Sequence, residues 1–471
     1  MANARISCED CPMSSPQPRS ASSALLTFRF ENVGSFRDKS ELSMLATGLV
    51  NKRISRPITW RQGGQPLGVV PAAVIYGANA SGKTNVLRAM DDMRRFVLES
   101  FRKGSPTGGI KRRPFLLGSS EEVASHFEID FVLNEVRHEY GFIIDDQRVV
   151  EEWAYRYPHG RPALLFLRSG DNVELGAVER SKAQAVKELL RPNALFLSTA
   201  ALANHQVYLA IHDWFEHNLQ FIGAGSRLLQ QNRTTRMYKD SRREHIPNLL
   251  DAADIGITGV KKVLMHPEAR ERMLRSVRTM TGPNAESDEL DDRIEIEPYC
   301  LQLIHQGAEG EVVFDDRDES LGTQMWLALI GPIVEALANG TVLLIDELDA
   351  SLHPDLVAQL VMLFQDPETN PHFAQLVCST HDATLLLDGA TSLDRFEPGL
   401  LGRDQIWFTE KLADGASRLY SLADLDPRKH EAIGRRYLAG WYGGVPILSR
   451  AQFAAIAESI TSRELVESAQ T

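Results

Sequence analysis

Cysteine is scarce in this chain, with four residues in 471. That is too few for a disulfide scaffold and fits a reducing compartment. Cys8 and Cys11 form a CxxC, but Cys300 and Cys378 stand alone, so a four-cysteine zinc site would need three distant segments to converge. Long apolar runs are also missing. The opening MANARISCEDCPMSSPQPRSASS has no apolar core of the signal-peptide type. Its Ser/Pro/polar mixture reads as a disordered leader over residues 1–23. The most apolar window, Met325–Ala338, is interrupted by Pro332 and Glu335 and is too short to span a bilayer. No membrane association is expected, and a cytoplasmic location is the default. No heptad pattern survives three turns, which excludes a long coiled coil, and no internal repeat is visible. Positive charge is in deficit: the formal net charge is −12. A surface basic throughout is excluded, so any nucleic-acid contact must use local patches. With 43% apolar and 24% charged residues the chain has the composition of a globular protein, and its length suggests roughly three units.

Two stretches carry chemistry. Val69–Thr84 reads VVPAAVIYGANASGKT. Val74, Ile75 and Tyr76 predict a short buried strand. Gly77, Ala78, Asn79, Ala80, Ser81, Gly82, Lys83 and Thr84 then match GxxxxGK[ST] without a mismatch. The two glycines let backbone N–H groups curl around phosphate oxygens where a side chain would intrude. In this motif the lysine reaches the β- and γ-phosphates and the hydroxyl ligates Mg²⁺. A helix predicted over Asn85–Phe96 starts at once, so its positive end faces the anion. Far downstream, residues 341–354 read TVLLIDELDASLHP. A continuous Val/Leu/Ile run predicts a strand buried on both faces. It ends in two carboxylates, Asp346 and Glu347: either solvated acids at a strand end, or a strand-end Asp that holds Mg²⁺ beside an acid that orients or deprotonates the attacking water. A second buried strand, Ala374–Cys378, ends at Ser379-Thr380-His381-Asp382.

Alternation of apolar and polar residues predicts antiparallel strands over Ala24–Phe30, His126–Leu133, Glu139–Ile144, Glu151–Arg156 and Leu164–Arg168. The period then becomes helical in Ala183–Leu190, Leu202–Asn218, Ile246–Val260 and Pro267–Met280, with Asn193–Thr199 as a short connection and Gly282–Asp292 as an acidic linker. Strands return at Ile294–Gln306 and Gly310–Phe314, and a hairpin at Gln405–Thr409 and Arg418–Leu422 precedes a Gly/aromatic segment, Arg435–Leu448. The chain divides into a leader (1–23), an N-terminal lobe with the phosphate loop and an antiparallel subdomain (24–180), a helical insertion (181–293), a C-terminal lobe (294–449), and a helix and tail (450–471). Two stretches are locally basic. One is residues 101–114, with Arg102, Lys103, Lys111, Arg112 and Arg113; the other is residues 223–245, with Arg227, Arg233, Arg236, Lys239, Arg242 and Arg243. The first is either a solvated surface loop or a contact for nucleic acid or nucleotide; the second is either a solvated helix or an arm for DNA, RNA or an acidic partner.

The order of the motifs resembles that of ABC-class ATPases. Glu319–Gln324, ESLGTQ, resembles their LSGGQ signature: Ser320, Gly322 and Gln324 match, while Leu321 stands where the family often has a small residue. Leu348–Pro354 resembles the D-loop, with Asp349, and His381 resembles the switch histidine. A long insertion between phosphate loop and signature is the pattern of RecF/SMC-like heads. FENVGSF, ELDASLHP and RYLAGWYGGVP most resemble the OLD-like branch, specifically the stand-alone RloA-like and PtuA-like ATPases of bacterial defence loci.

This resemblance implies an α/β fold: an ABC-type (RecF/SMC-like) P-loop head of two lobes, mixed β-sheets with flanking helices, and a helical insertion. It implies ATP and Mg²⁺ at Gly77–Thr84, with Thr84 and Asp346 on the metal, Glu347 on the water and His381 sensing the γ-phosphate. Ser320, Gly322 and Gln324 of a second copy would close over that phosphate, backed by the dipole of a helix from Met325 onward, and Asp349 would face the other copy. A homodimer or higher homo-oligomer joined by ATP follows. The residues from Glu410 on lack the clustered carboxylates of a Toprim nuclease, so a nuclease or toxin activity is expected on a separate effector. The family's Q-loop glutamine finds no assignment, although Gln147 is available. The expected function is an ATP-hydrolysing switch that senses or regulates an effector nuclease in antiphage defence. The alternative is a RecF-like DNA-binding ATPase of repair or recombination; a transporter motor is disfavoured by the long insertion.

Overall fold

The computed structural model describes residues 23–47, 55–58, 67–118, 123–178, 180–223, 225–239, 241–253, 256–281, 296–387, 400–425, 432–445, 449 and 451–456. The expected leader (Ser23 apart), the acidic linker and most of the expected C-terminal helix lie outside these residues, as do Cys8 and Cys11. The chain opens with β1 (Ser23–Glu31) and β2 (Ser40–Ser43), followed by a short antiparallel pair, β3 (Arg56–Ile58) and β4 (Leu67–Val69). The apolar run before the phosphate loop is β5 (Ala72–Gly77), and the loop opens into α1 (Lys83–Lys103). Five strands follow: β6 (Ser125–Leu133), β7 (Val136–Ile144), β8 (Val149–Tyr157), β9 (Ala163–Ser169) and β10 (Asn172–Leu175). With β1 and β2 they form a seven-stranded antiparallel sheet in the order β10-β9-β8-β7-β6-β1-β2.

The next segment is mostly helical: α2 (Arg180–Val186), α3 (Phe196–Leu202), α4 (Gln206–Asn218), α5 (Arg227–Met237), α6 (His245–Asp251) and α7 (Pro267–Thr281). Two strands interrupt it, β11 (Leu219–Ile222) and β12 (Ile257–Leu264). Two expectations are corrected here. Asn193–Thr199 is not merely a connection, because Phe196 starts α3. The reason is long-range: the buried Glu152 carboxylate accepts the Phe196 and Leu197 amides at 2.6 and 3.0 Å, satisfying free N–H groups of that helix end. Ile257–Val260 is strand rather than helix. It pairs antiparallel with β13 (Tyr299–Gly307), which pairs with β14 (Gly310–Phe314), so its β-branched residues find a ladder contributed from downstream.

The C-terminal lobe continues with α8 (Leu321–Asn339), β15 (Val342–Ile345), α9 (Pro354–Gln365), β16 (Gln375–Ser379), β17 (Ile406–Lys411), β18 (Ser417–Ser421) and α10 (Ile433–Leu438). The central sheet takes the order β11-β15-β16-β5-β17-β18; its first five strands are parallel and β18 is antiparallel. Both faces are covered. Ala73, Ile75, Val342, Leu344 and Val377 join the core shared with α1, α3, α4 and the antiparallel sheet. Ala72, Val74, Tyr76, Leu343, Ile345 and Leu376 join the core shared with α8 and α9. Burial on both sides is why these strands read as continuous apolar runs. Gln375 joins the two sheets: its side-chain amide accepts the Leu25 N–H at 2.6 Å and donates to the Leu25 carbonyl at 3.0 Å.

Pro332 lies inside α8 without ending it. Gly331 allows α5 to approach closely, and the Thr234 hydroxyl accepts the Gly331 N–H at 3.0 Å while donating to the Leu327 carbonyl at 2.8 Å. A side chain of α5 thus replaces a helix bond where proline disturbs the ladder. By length and composition α8 could cross a membrane, but 61% of its most apolar window is buried inside the protein. That is the burial of a core helix.

Candidate active site

Parallel α/β sheets bind ligands at the carboxyl ends of their strands, and here three neighbouring strands deliver the chemistry to one end. β5 runs into the phosphate loop, β15 into Asp346, and β16 ends at Ser379. Gly82 has φ +116°, and a Cβ there would lie 2.6 Å from the Ser417 hydroxyl. A Cβ on Gly77 would run into the hydroxyls of Ser81 and Thr409. Both glycines of the motif are therefore required by space.

The underside of the loop is pinned by hydroxyls. Ser81 and Thr409 share a hydrogen bond of 2.6 Å. The Ser35 hydroxyl accepts from Ser417 at 2.7 Å and from the Asn85 amide at 2.9 Å. Ser35 belongs to the FENVGSF segment, which gives that motif a mechanical meaning as a brace under the start of α1. On the other side the Gly443–Gly444 turn approaches the loop: a Cβ on Gly444 would stand 3.5 Å from the Gly77 Cα. Tyr437 packs edge-on to Tyr76 with ring centroids 5.6 Å apart.

Lys83 and Thr84 form the first turn of α1, which holds no acidic residue, so the positive end of the helix is uncompensated. The buried Lys83 ammonium donates to the carbonyls of Gly77 at 2.8 Å and Ala78 at 3.1 Å. Burial lowers its pKa to about 8, against the opposing pull of Asp349, Asp346 and Glu347. Asp346 is buried, and one of its oxygens accepts from Thr84 at 3.0 Å and from Ser379 at 2.8 Å. Serine, threonine and carboxylate oxygens from three elements make an oxygen-only donor set, which suits a hard cation such as Mg²⁺. Thr84 and Asp346 are the residues that would hold it.

Glu347 leaves the strand with φ +55°, its amide bound to the Ser379 hydroxyl at 2.8 Å. The Leu348 amide donates to the Ser379 carbonyl at 2.9 Å. A left-handed residue held from both sides turns the Glu347 side chain out of the sheet toward solvent, and such strain is characteristic of functional positions. The His381 amide donates to both carboxylate oxygens of Asp349, each at 3.2 Å. Burial first, and then the Lys83 charge, push the His381 pKa below its ordinary value. The ring is therefore neutral at pH 7 and available as a hydrogen-bonding group.

The fold thus gathers Gly77–Thr84, Asp346, Glu347, Asp349 and His381. It places Ser320, Gly322 and Gln324 elsewhere, at the start of α8. That helix begins at Leu321, a turn earlier than Met325, because Ser320 caps it by accepting the Thr323 amide at 3.1 Å. Gln324 holds the preceding loop through the carbonyls of Asp316 at 2.7 Å and Glu319 at 2.9 Å. A Cβ on Gly322 would come within 2.6 Å of the Ser351 carbonyl, so signature and D-loop touch. They line a cavity of about 570 Å³ with Trp326 and His353. Gln147 sits in the β7–β8 turn, its backbone N–H donating to the Asp145 carboxylate at 2.8 Å. Ser379, Thr409, Ser35 and Ser417 went unassigned in the sequence; only the position of Ser379, directly before Thr380 and His381, carried a signal.

A phosphate loop, a strand-end acid pair and a histidine converging on one parallel sheet, beside an antiparallel sheet and a serine-capped signature helix, define a P-loop ATPase of the ABC type. Residues 72–388, more than half of the chain, match the family described as "AAA domain, putative AbiEii toxin, Type IV TA system", and the chain belongs to that family. No curated protein matches. Among solved structures, the chain is similar to an SMC head bound to the C-winged helix domain of ScpA, at 14% identity and TM-score 0.41, covering 84% of this chain and 97% of that one. It is also similar to the SMC head domain from Thermotoga maritima, at 12% identity and TM-score 0.35, covering 84% and 98% respectively.

Proposed function

We propose that this ATPase is a nucleotide-driven switch in which two copies close on ATP and part on hydrolysis, and that it senses or regulates a separate effector, a nuclease or toxin, in antiphage defence of the OLD-like, RloA-like or PtuA-like kind. The observation that carries the switch is the Asp346 bridge. One carboxylate ties the phosphate-loop Thr84 to Ser379 at the end of β16, and Ser379 in turn fixes Glu347. Whatever Thr84 binds is thereby felt at Glu347 and at the strand leading to His381. A bound divalent cation supplies charge neutralisation at the phosphate oxygens. Lys83 and the start of α1 orient the phosphates, Glu347 takes the proton of the attacking water, and neutral His381 donates a hydrogen bond to the terminal phosphate.

Among the described residues, Ser320, Gly322 and Gln324 make no hydrogen bond to the phosphate loop of their own chain, which supports their acting on the nucleotide of a second copy. Glu347→Gln should trap that dimer: with ATP and Mg²⁺, light scattering should report twice the monomer mass, and a mass that stays monomeric would sink the model. The effector reading is favoured over the RecF-like one by the fate of the basic segment. Arg227 pairs with Asp316 at 3.2 Å, Lys239 pairs with Glu297 at 2.5 Å, and Arg233 pairs with Glu335. These three charges are engaged within the fold, which reduces the field the segment offers a phosphate backbone. Leu438 and Trp441 of the Gly/aromatic segment are instead 63% and 71% exposed, a surface suited to a protein partner. Pull-down with Glu347→Gln should recover an effector that Trp441→Ala loses; retention of duplex DNA at physiological salt by the purified chain would favour the RecF-like reading.

A further inference from the structure

Besides Lys83 of the phosphate loop, a second cation shares a cavity with the acid pair. A cavity of about 210 Å³ between the end of β15 and the start of α8 is lined by Asp346, Glu347, Leu321, Met325 and Arg227. Arg227 follows β11 closely in the sequence. β11 lies parallel to β15, and the Asp346 amide donates to the Ile222 carbonyl at 2.9 Å. The Ser226 hydroxyl donates to the Gly223 carbonyl at 2.7 Å, and Arg227 is the first residue of α5. Its guanidinium, about a quarter exposed, donates to Asp316 at 3.2 Å. Asp316 belongs to the loop before the signature. Its carboxylate also accepts from Gln231 at 2.7 Å, and its carbonyl accepts from the signature residue Gln324. Among the described residues the Glu347 carboxylate receives no hydrogen bond. One arginine therefore stands between the catalytic acids and the signature loop of the same chain.

We propose that Arg227 is a two-position cation of the ATPase site. On Asp316 it steadies the signature loop; turned into the cavity it faces Glu347 and the terminal phosphate. The inference rests on the ATPase reading and deepens it. A guanidinium keeps its charge at any working pH and is less strongly hydrated than an ammonium, so it can exchange one anionic partner for another at modest cost. The polyanionic end of ATP is a stronger attractor than the single Asp316 carboxylate, about a third exposed. In the cavity position the cation opposes the negative charge that builds as water attacks, and it holds Glu347 toward that water. The same movement releases Asp316, so occupation of the site is reported to the loop that would meet a second copy.

Steady-state ATP turnover of the full chain tests this with Arg227→Ala, Asp316→Asn and Glu347→Gln alongside the parent. Both of the first two variants break the same ion pair, so each controls for structural damage in the other. The expected result is that Arg227→Ala lowers kcat about a hundredfold with KM for ATP within about threefold, whereas Asp316→Asn keeps kcat at or above the parent value. Equal losses in the two variants, together with equal drops in Tm, would reduce the pair to a structural salt bridge and overturn the proposal, as would parent-like turnover in Arg227→Ala. If the parent hydrolyses no ATP, or Glu347→Gln is as active as the parent, the ATPase reading fails and takes this inference with it.

Discussion

The depressed pKa of Lys83 makes nucleotide affinity depend on pH in a defined direction. Its ammonium is buried and held by two backbone carbonyls, and its pKa lies at about 8. Phosphates arriving at Lys83 favour the charged form, so only the protonated lysine gains from binding, and ATP takes up a proton wherever the free site has lost it. From pH 7 to pH 9 the protonated fraction falls from about nine-tenths to about one-tenth, so Kd for ATP should rise about tenfold, or about 1.4 kcal/mol. Titration calorimetry at pH 8 in two buffers of different ionisation enthalpy should report about half a proton taken up per ATP. Lys83→Arg should abolish the pH dependence whatever it does to affinity, because a guanidinium does not titrate in this range. A parent Kd constant within about twofold from pH 7 to pH 9, with no buffer-dependent enthalpy, would refute the reasoning that burial governs this lysine.

Two further changes test the support around the site. Glu152 is fully buried and accepts the Phe196 and Leu197 amides and the Tyr140 hydroxyl, with Arg168 at 3.7 Å. Glu152→Ala should cost about 3–5 kcal/mol in urea unfolding by stranding a buried guanidinium and two helix amides; a loss under about 1 kcal/mol would show that Arg168 is satisfied by the carbonyls of Gly170 and Ala194, to which it donates at 2.7 and 2.6 Å. Gly444 has φ +68° and lies against Gly77. Gly444→Val should lose about 1–2 kcal/mol from the left-handed backbone alone and should also weaken ATP binding as the displaced turn disturbs the phosphate loop, measured by calorimetry on the folded variant.

How much of this was legible follows from where each constraint is written. Val342–Ile345 announced its strand because burial on both faces demands an unbroken apolar run, and Gly77–Thr84 announced the loop because phosphate cradling demands glycine at fixed offsets. The start of α3 was illegible because its capping carboxylate, Glu152, is 44 residues from Phe196. β12 was misread because its apolar residues fit a helix until the ladder with β13 is known. Ser35, Thr409 and Ser417 form no pattern, since a hydroxyl that braces a loop from another strand leaves no local periodicity. Composition could not reveal that Arg227, Arg233 and Lys239 are paired, because Asp316, Glu335 and Glu297 come from distant parts of the chain.

The motifs expected to meet a second copy show the same division. Sequence order separates Gly322 from Ser351, yet the approach between them is too close for any side chain at residue 322. Asp349, a few residues earlier, holds the His381 amide through both oxygens. A displacement of the D-loop must therefore disturb the signature on one side and the histidine on the other. Packed interfaces of this kind shift between discrete arrangements rather than bending gradually. Under the proposed closure of two copies on ATP, pressure on the D-loop would therefore reach both the signature and His381 within one chain.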